Sequence, residues 1–331
     1  IYKMLFSMTL IIGTMITVSS NSWMGMWLGL EINLLSIIPL MSNVKNKMES
    51  EAAMKYFITQ TMASTILLMS ILMTLTTENN LSVKMLKSMI LDSAILTKIG
   101  AAPFHFWFPE VMEGSSWMNS LVLLTWQKLA PMIMFSYSNK STMFMVSIIL
   151  MSIVISGIMG MNQTSLRKIM AYSSINHIGW MLSTMLTNQT LWMIYLTIYS
   201  MMTMNIIMMF KKLNIFFIKQ LINSMTEKMS IKVLFILNFL SLGGIPPLVG
   251  FFPKWITINF MIQEKMILLT LMMIMGTLIS LFFYMRIAIA TMIIKTNETQ
   301  INNKNTNTAT LTMNFLVMSS LSMCMLIFNF L

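Results

Sequence analysis

The sequence predicts an all-α polytopic membrane protein with about eleven transmembrane helices, and three observations predict it. First, 56% of its 331 residues are hydrophobic and only 9% are charged. An average soluble domain carries roughly a quarter charged residues, so lipid is the solvent for most of this surface. Second, apolar runs of bilayer length, roughly 20 residues, recur from end to end. Third, basic residues in the connections favour one side of the membrane over the other.

Taken in order, the spans are 4–20, 23–41, 54–75, 85–102, 119–137, 142–160, 168–187, 190–210, 231–262, 266–294 and 310–330. The first resembles a signal peptide, with Lys3, an apolar run, then Ser19 and Ser20. Ten further spans favour a retained helix. The second carries Glu31 in "WLGLEINLLS", the fourth ends at "KIGAAPFHFWFPEV", and the fifth carries Lys128 in "VLLTWQKLAPMIM". The seventh holds the polar run "YSSINH". The ninth is too long for one straight span and contains "GGIPPLVGFFP", which predicts a broken helix. Connections are short except 42–53, 76–84, 103–118, 211–230 and 295–309; the Asn/Thr-rich "NETQINNKNTNTAT" is a polar loop. The whole chain reads as a single transmembrane domain, with a first repeat over about 4–137, a second over about 142–294 and a final helix over about 310–330.

Counting basic residues on alternate sides fixes an orientation. The side of the N-terminus holds Lys3, Lys45, Lys47, Arg167, Lys168, Lys211, Lys212, Lys219, Lys228, Lys295 and Lys304. The other side holds Lys84, Lys87, Lys140 and Lys265. Positive loops stay on the side of synthesis, so the N-terminus faces inward and eleven spans put Leu331 outside. The net charge of +11 follows from this bias and implies no nucleic-acid partner.

Several chemistries are excluded. A lone cysteine, Cys324, allows no internal disulfide and no cysteine-ligated cluster. His105 and His177 are 72 residues apart and show no metal-ligand spacing. Neither a G-x-G-x-x-G nor a G-x-x-x-x-G-K-[ST] motif occurs, so no nucleotide site is visible. Cofactor-binding and metal residues are therefore expected to be none in this chain.

Four ionisable residues fall inside spans or at a break: Glu31, Lys98, Lys128 and Lys254. Each costs about 2.5–3.5 kcal/mol at a helix centre even on the lenient insertion scale. The bland reading is snorkelling, or ion pairs that only tie helices together. Glu31 and Lys128 sit mid-span and cannot easily reach an interface, so for them a functional role is expected. Asp92 lies six residues before Lys98 and is expected near the outer end of its span. His105 reads equally well as a structural histidine. His177, among hydroxyls and an amide, is a candidate for holding water within the membrane.

The segments "PFHFWFPE" (103–110) and "PLVGFFPK" (247–254) share P-x5-P followed by a charge, offset by 144 residues. Paired proline-interrupted segments in two halves of a membrane chain point to a transport site. A break frees backbone groups that must then meet protein or water. Water beside ionisable side chains is what a proton relay requires.

The stretches "WLGLEINLLSIIPL", "TKIGAAPFHFWFPEV", "LLTWQKLAPM", "SSINHIGWML" and "GGIPPLVGFFPKW" resemble the subunit 2 family of mitochondrial NADH:ubiquinone oxidoreductase, respiratory complex I, one of the antiporter-like subunits. They occur in that family's order and cover nearly the whole chain. The resemblance implies two inverted five-helix repeats with two broken helices. It also implies a shortened animal form lacking three N-terminal helices, which agrees with eleven spans. The start at Ile1 and the 44 Met suit a mitochondrial gene; Met fills apolar gaps much as Leu does.

The resemblance assigns roles to the charges. Glu31 is the helix glutamate that pairs with Lys98 of the first broken helix, Lys128 is the central lysine, and Lys254 belongs to the second broken helix. His177 is a polar position between the last two. The implied mechanism is relayed proton transfer: movement of the Glu31 carboxylate relative to Lys98 alters that lysine's hold on its proton, and protons pass through water to Lys128 and on to Lys254. Quinone reduction elsewhere in the complex supplies the energy, and the partners are other membrane-arm subunits and the lipid bilayer. The location implied is the mitochondrial inner membrane, with Lys45, Lys211 and Lys219 facing the matrix and Leu331 the intermembrane space. A stand-alone cation/proton antiporter and a purely structural membrane spacer are the competing readings.

Overall fold

The structure, a computed structural model, describes residues 2–43, 46–75, 81–138, 141–224, 229–246 and 248–293. The eleventh expected span (310–330), Leu331, Pro247 and the loop lysines Lys45, Lys140, Lys228, Lys295 and Lys304 lie outside the described residues. Within them the secondary structure is helical, apart from one isolated bridge between Ser165 and Phe217. Among the described residues, six helices are long and apolar enough to cross a membrane: Tyr2–Ser19, Trp23–Met41, Lys47–Thr74, Thr142–Met161, Leu191–Leu213 and Ile267–Ile293.

Contacts along the chain divide it into two compact units, Ile1–Met151 and Ser152–Leu331. The first holds α1 (Tyr2–Ser19), α2 (Trp23–Met41), α3 (Lys47–Leu75), α4 (Leu81–Ile99), α5 (Trp107–Gly114), α6 (Trp117–Leu124) and α7 (Trp126–Ser136). The α1–α2 pair packs through small residues, the way helices associate where lipid removes the hydrophobic drive. A Cβ on Gly29 would come within 2.8 Å of the Gly13 carbonyl oxygen. Helix α2 is capped by Ser22, whose side chain accepts from the Gly25 N–H. Trp27 Nε1 donates to the Ser64 carbonyl at 3.2 Å, and Asn119 Nδ2 to the Leu40 carbonyl at 3.0 Å, tying α2 to α3 and to α6.

Helix α8 (Thr142–Met161) carries the boundary between units. The second unit continues with α9 (Leu166–Thr187), α10 (Leu191–Leu213), α11 (Ile218–Ser224), α12 (Met229–Gly243), α13 (Phe251–Gln263) and α14 (Ile267–Ile293). Helix α9 is its axis: every residue from Ile169 to Met185 is buried. A helix enclosed by protein needs no lipid-facing stripe. That explains how Ser173, Ser174, Asn176, His177, Ser183 and Thr184 can all lie buried on it.

The helices follow the expected spans closely, with three differences. The connections 103–118 and 211–230 are not plain loops, since they contain α5 and α11. The span expected over 119–137 is interrupted at Thr125, between α6 and α7. Pro131 is not at the interruption: it lies inside α7, which continues across it although the Gln127 carbonyl receives no N–H from the proline. Thr125 caps the interruption, its hydroxyl donating to the Leu121 carbonyl at 2.8 Å.

The two expected broken helices are present, and their breaks share one register. Helix α4 ends at Ile99 and α12 at Gly243; α5 begins at Trp107 and α13 at Phe251. Each pair is 144 residues apart, the offset of the two proline segments. Both breaks open on a glycine in the left-handed region, Gly100 at φ +82° and Gly244 at φ +77°, the usual helix-ending conformation. The amides fold back alike. Gly100 and Ala101 donate to the Leu96 carbonyl at 2.9 and 3.1 Å, and Gly244 and Ile245 donate to the Leu240 carbonyl at 3.1 and 3.4 Å.

Candidate functional site

The first break brings three of the expected charges to one place. Glu31, in the middle of α2, has Oε1 3.9 Å from Lys98 Nζ in the last turn of α4. That distance makes an ion pair but not a hydrogen bond. The lysine side chain is 3% exposed and the glutamate side chain 22%, so the carboxylate sits at the more open end of the pair. Lys128, in the first turn of α7 and 2% exposed, has Nζ 6.0 Å from the ring centre of Phe108, which the break delivers at the start of α5. A cation over a ring face is favoured electrostatically at that distance.

Lys98 and Lys128 line the same cavity of about 20 Å³, together with Asn33, Tyr56, Gln60 and Gln127. This is room for about one water molecule. The polar wall is more extensive than the sequence suggested. Tyr56 and Gln127 are 71 residues apart, yet the tyrosine hydroxyl donates to Gln127 Oε1 at 3.4 Å. No local pattern in the sequence marks that pair.

The second break holds Lys254 in the first turn of α13, directly after Pro253, as expected, and buries it. Its Nζ donates to the Gly243 carbonyl at 2.9 Å, across the break to the last residue of α12. It also lies 5.8 Å from the ring centre of Trp180. A Cβ on Gly244 would come within 2.9 Å of Lys254 Nζ, so the glycine makes space for the lysine as well as turning the chain.

His177 is buried three residues before Trp180 on α9. Its Nδ1 shares a 2.9 Å hydrogen bond with the Tyr195 hydroxyl, and its ring packs 4.9 Å from that of Tyr199. Nearby on the same helix, Asn176 Nδ2 donates to Ser280 Oγ on α14 at 3.0 Å. Tyr195 and Tyr199, four apart on α10, were not marked by the sequence; their i, i+4 spacing on one helix face was the available signal.

The remaining ionisable positions have mainly local settings. Asp92 is not near a span end: it is fully buried and well inside α4. His105 is buried within the first break, its ring stacked on Phe106 at 4.6 Å. Lys232, buried near the start of α12, was not singled out from the sequence. Its Nζ donates to the Met292 carbonyl at 3.1 Å, capping the last turn of α14. Among the described residues no group of three or more His, Cys, Asp or Glu is placed to hold a metal ion.

Comparison with known proteins agrees with this architecture. The family model described as NADH:quinone oxidoreductase/Mrp antiporter, TM, matches residues 20–280. A Locusta migratoria protein named NADH-ubiquinone oxidoreductase chain 2 is 48% identical over 301 residues, covering 89% of this chain and 87% of its own. An Aedes aegypti protein of the same name is 45% identical over 332 residues, covering 98% and 97%. In fold, the chain is similar to one in a structure of respiratory complex I from Thermus thermophilus with bound Aureothin. The TM-score is 0.86 at 21% identity, over 97% of this chain and 78% of that one. The chain belongs to the NADH-ubiquinone oxidoreductase chain 2 family, within the wider family of NADH:quinone oxidoreductase and Mrp antiporter membrane subunits.

Proposed function

We propose that this chain is a proton-translocating membrane-arm subunit of a mitochondrial respiratory NADH:ubiquinone oxidoreductase, with Glu31, Lys98, Lys128 and Lys254 as its proton-relay residues and His177 as an accessory group. The observation that carries the reading is the pairing of Glu31 with buried Lys98, which opens onto a cavity shared with buried Lys128. A charge alone in the membrane is costly. Two lysines sharing a polar cavity beside one carboxylate can instead exchange a proton through water. Displacing Glu31 by an ångström or two changes the Coulomb field at Lys98, and that is how an event outside this chain reaches its proton. In the second unit Lys254 is the corresponding carrier, held against a helix-terminal carbonyl. Redox chemistry belongs in this reading to partner subunits, and the chain itself supplies carriers, hydration and electrical insulation.

The same reading places the chain in the inner membrane with its N-terminus in the matrix. Three basic residues inside spans support the orientation. Lys55, Lys232 and Arg286 all lie towards the helix ends that the alternation of spans assigns to the matrix side, adding to the positive bias there. Labelling the 211–230 connection from outside intact mitoplasts tests this; modification there overturns the orientation.

The function is tested by Lys128→Met, which keeps length and apolarity and removes the proton carrier. The assembled complex is expected to lose proton translocation coupled to turnover. Normal proton-to-electron stoichiometry in that assembled variant would leave the chain a structural spacer.

A further inference from the structure

The cavity between Lys98 and Lys128 has a wall that the relay lysines do not explain. Gln127 Nε2 is buried and has no hydrogen-bond partner among the described residues, while its Oε1 accepts from the Tyr56 hydroxyl. Buried amide donors are almost always satisfied, by protein or by ordered water. Gln127 is among the residues lining the cavity, which has room for about one water molecule. Tyr56, itself buried, is fixed in turn. Its ring meets Trp107 edge-on at 5.8 Å, and Trp107 Nε1 donates to the Thr97 carbonyl at 3.0 Å. Trp107 is the first residue of α5 after the break. The broken helix therefore positions Trp107, Trp107 positions Tyr56, and Tyr56 turns the Gln127 amide so that its nitrogen is left for the cavity.

We infer that the Tyr56–Gln127 pair is a positioning device that holds and orients the water through which a proton passes between Lys98 and Lys128. The inference rests on the proton-relay reading above and adds residues to it. The amide N–H occupies one lone pair of the water oxygen. The other lone pair then accepts from the protonated lysine while a water hydrogen points to the neutral one. In the transfer, one lysine N–H bond breaks as an O–H bond forms, and another O–H bond breaks as the second lysine gains its proton. The water is regenerated and no electron moves. A donor fixed in this way selects the water orientation that serves both lysines. An apolar side chain would leave the water free to turn or to leave.

The test uses the assembled complex reconstituted in liposomes, with Gln127→Met, Tyr56→Phe, the double variant, and Lys128→Met as a control. Proton translocation coupled to quinone reduction is measured in H2O and in D2O. Gln127→Met is expected to slow translocation about fivefold, the size of one lost hydrogen bond, and to raise the solvent isotope effect. Tyr56→Phe, which removes one oxygen and keeps the packing, is expected to give about a twofold loss with the same rise. The double variant should match Gln127→Met, because the tyrosine acts only through the amide. An unchanged rate and isotope effect in Tyr56→Phe or Gln127→Met, with Lys128→Met inactive, overturns this inference and leaves the relay standing. Normal translocation in Lys128→Met overturns the relay itself. Should Gln127→Met fail to assemble, Tyr56→Phe decides the matter alone.

Discussion

The two breaks have nearly the same backbone but different electrostatics. In the first, the buried lysine precedes the break and faces a carboxylate: Lys98 lies 3.9 Å from Glu31. In the second, the lysine follows the break and faces a backbone dipole: Lys254 donates to the Gly243 carbonyl at 2.9 Å. The difference is one of adjustability. Two unit charges about 4 Å apart interact by about 4 kcal/mol at an effective dielectric of about 20, and that energy varies with distance. A hydrogen bond from a charged group to a carbonyl is worth about 1.5–3 kcal/mol, and this carbonyl is fixed to the end of α12. On the proposed relay, the first break therefore suits switching by a neighbour, and the second suits holding a carrier in a constant field.

The largest effect expected is at the second carrier. Lys254→Met removes both the titrating amine and the donor to Gly243, and coupled translocation should fall about tenfold or more, as for loss of a general acid–base group. Reconstituted complex with a pH-sensitive dye measures it. Wild-type pumping would remove Lys254 from the path and leave the first break as the only functional one. Next comes Glu31→Gln, which keeps shape and removes the adjustable charge. About a three- to tenfold loss of coupled turnover is expected, with Lys98 still buried. A Glu31→Asp variant, one methylene shorter but still charged, should fall between wild type and Glu31→Gln. Wild-type turnover in Glu31→Gln would mean that both breaks are fixed stations and that their electrostatic difference has no functional content.

Much of this contrast could be read from the sequence, and the reasons are specific. Glu31, Lys98, Lys128 and Lys254 stood out because apolar surroundings make each charge anomalous. The breaks stood out because proline pairs at a constant offset interrupt runs that otherwise satisfy the bilayer. Beyond the Glu31–Lys98 pair that the resemblance implies, what the lysines touch was not legible. Gly243 reaches Lys254 only because Gly244 turns the chain at φ +77°, and Tyr56 finds Gln127 only through the packing of α3 against the break. The interruption at Thr125 had no mark of its own, since the nearby Pro131 lies inside α7 and a proline inside an apolar run reads as a tolerated kink. The burial of α9 was hidden for a different reason: its polar residues suit a loop or an enclosed helix equally, and only its neighbours decide.

A smaller effect separates the two glycines. Gly100→Ala and Gly244→Ala both force a left-handed backbone on an L-residue, at about 1–2 kcal/mol. At Gly100 the added methyl finds ordinary contacts, 3.4 Å from Trp107 Cζ2, whereas at Gly244 it meets Lys254 Cδ and Nζ at 2.9 Å. Gly100→Ala is expected to lower thermal stability of the assembled complex with little change in pumping. Gly244→Ala should lower both, since the lysine must leave the Gly243 carbonyl. Equal behaviour in a thermal-shift and pumping comparison would show that Lys254 does not depend on its carbonyl.

The smallest effect is expected at Glu110, and it bears on how the sequence match is to be read. The P-x5-P alignment sets Glu110 opposite Lys254, each the charge that follows the second proline. Were the breaks equivalent in function, Glu110 would be a buried partner in the first path. Instead its side chain is 56% exposed and lies 3.0 Å from Lys55, which also meets Glu51 at 3.0 Å. Exposed pairs of this kind contribute little, because water screens them and two flexible side chains must be ordered. Glu110→Gln should therefore change coupled turnover by less than about twofold, with Glu51 still holding Lys55 in place. A loss comparable to that of Glu31→Gln would mean that the alignment had found a functional charge in both breaks. The first break would then carry two switchable carboxylates, not one.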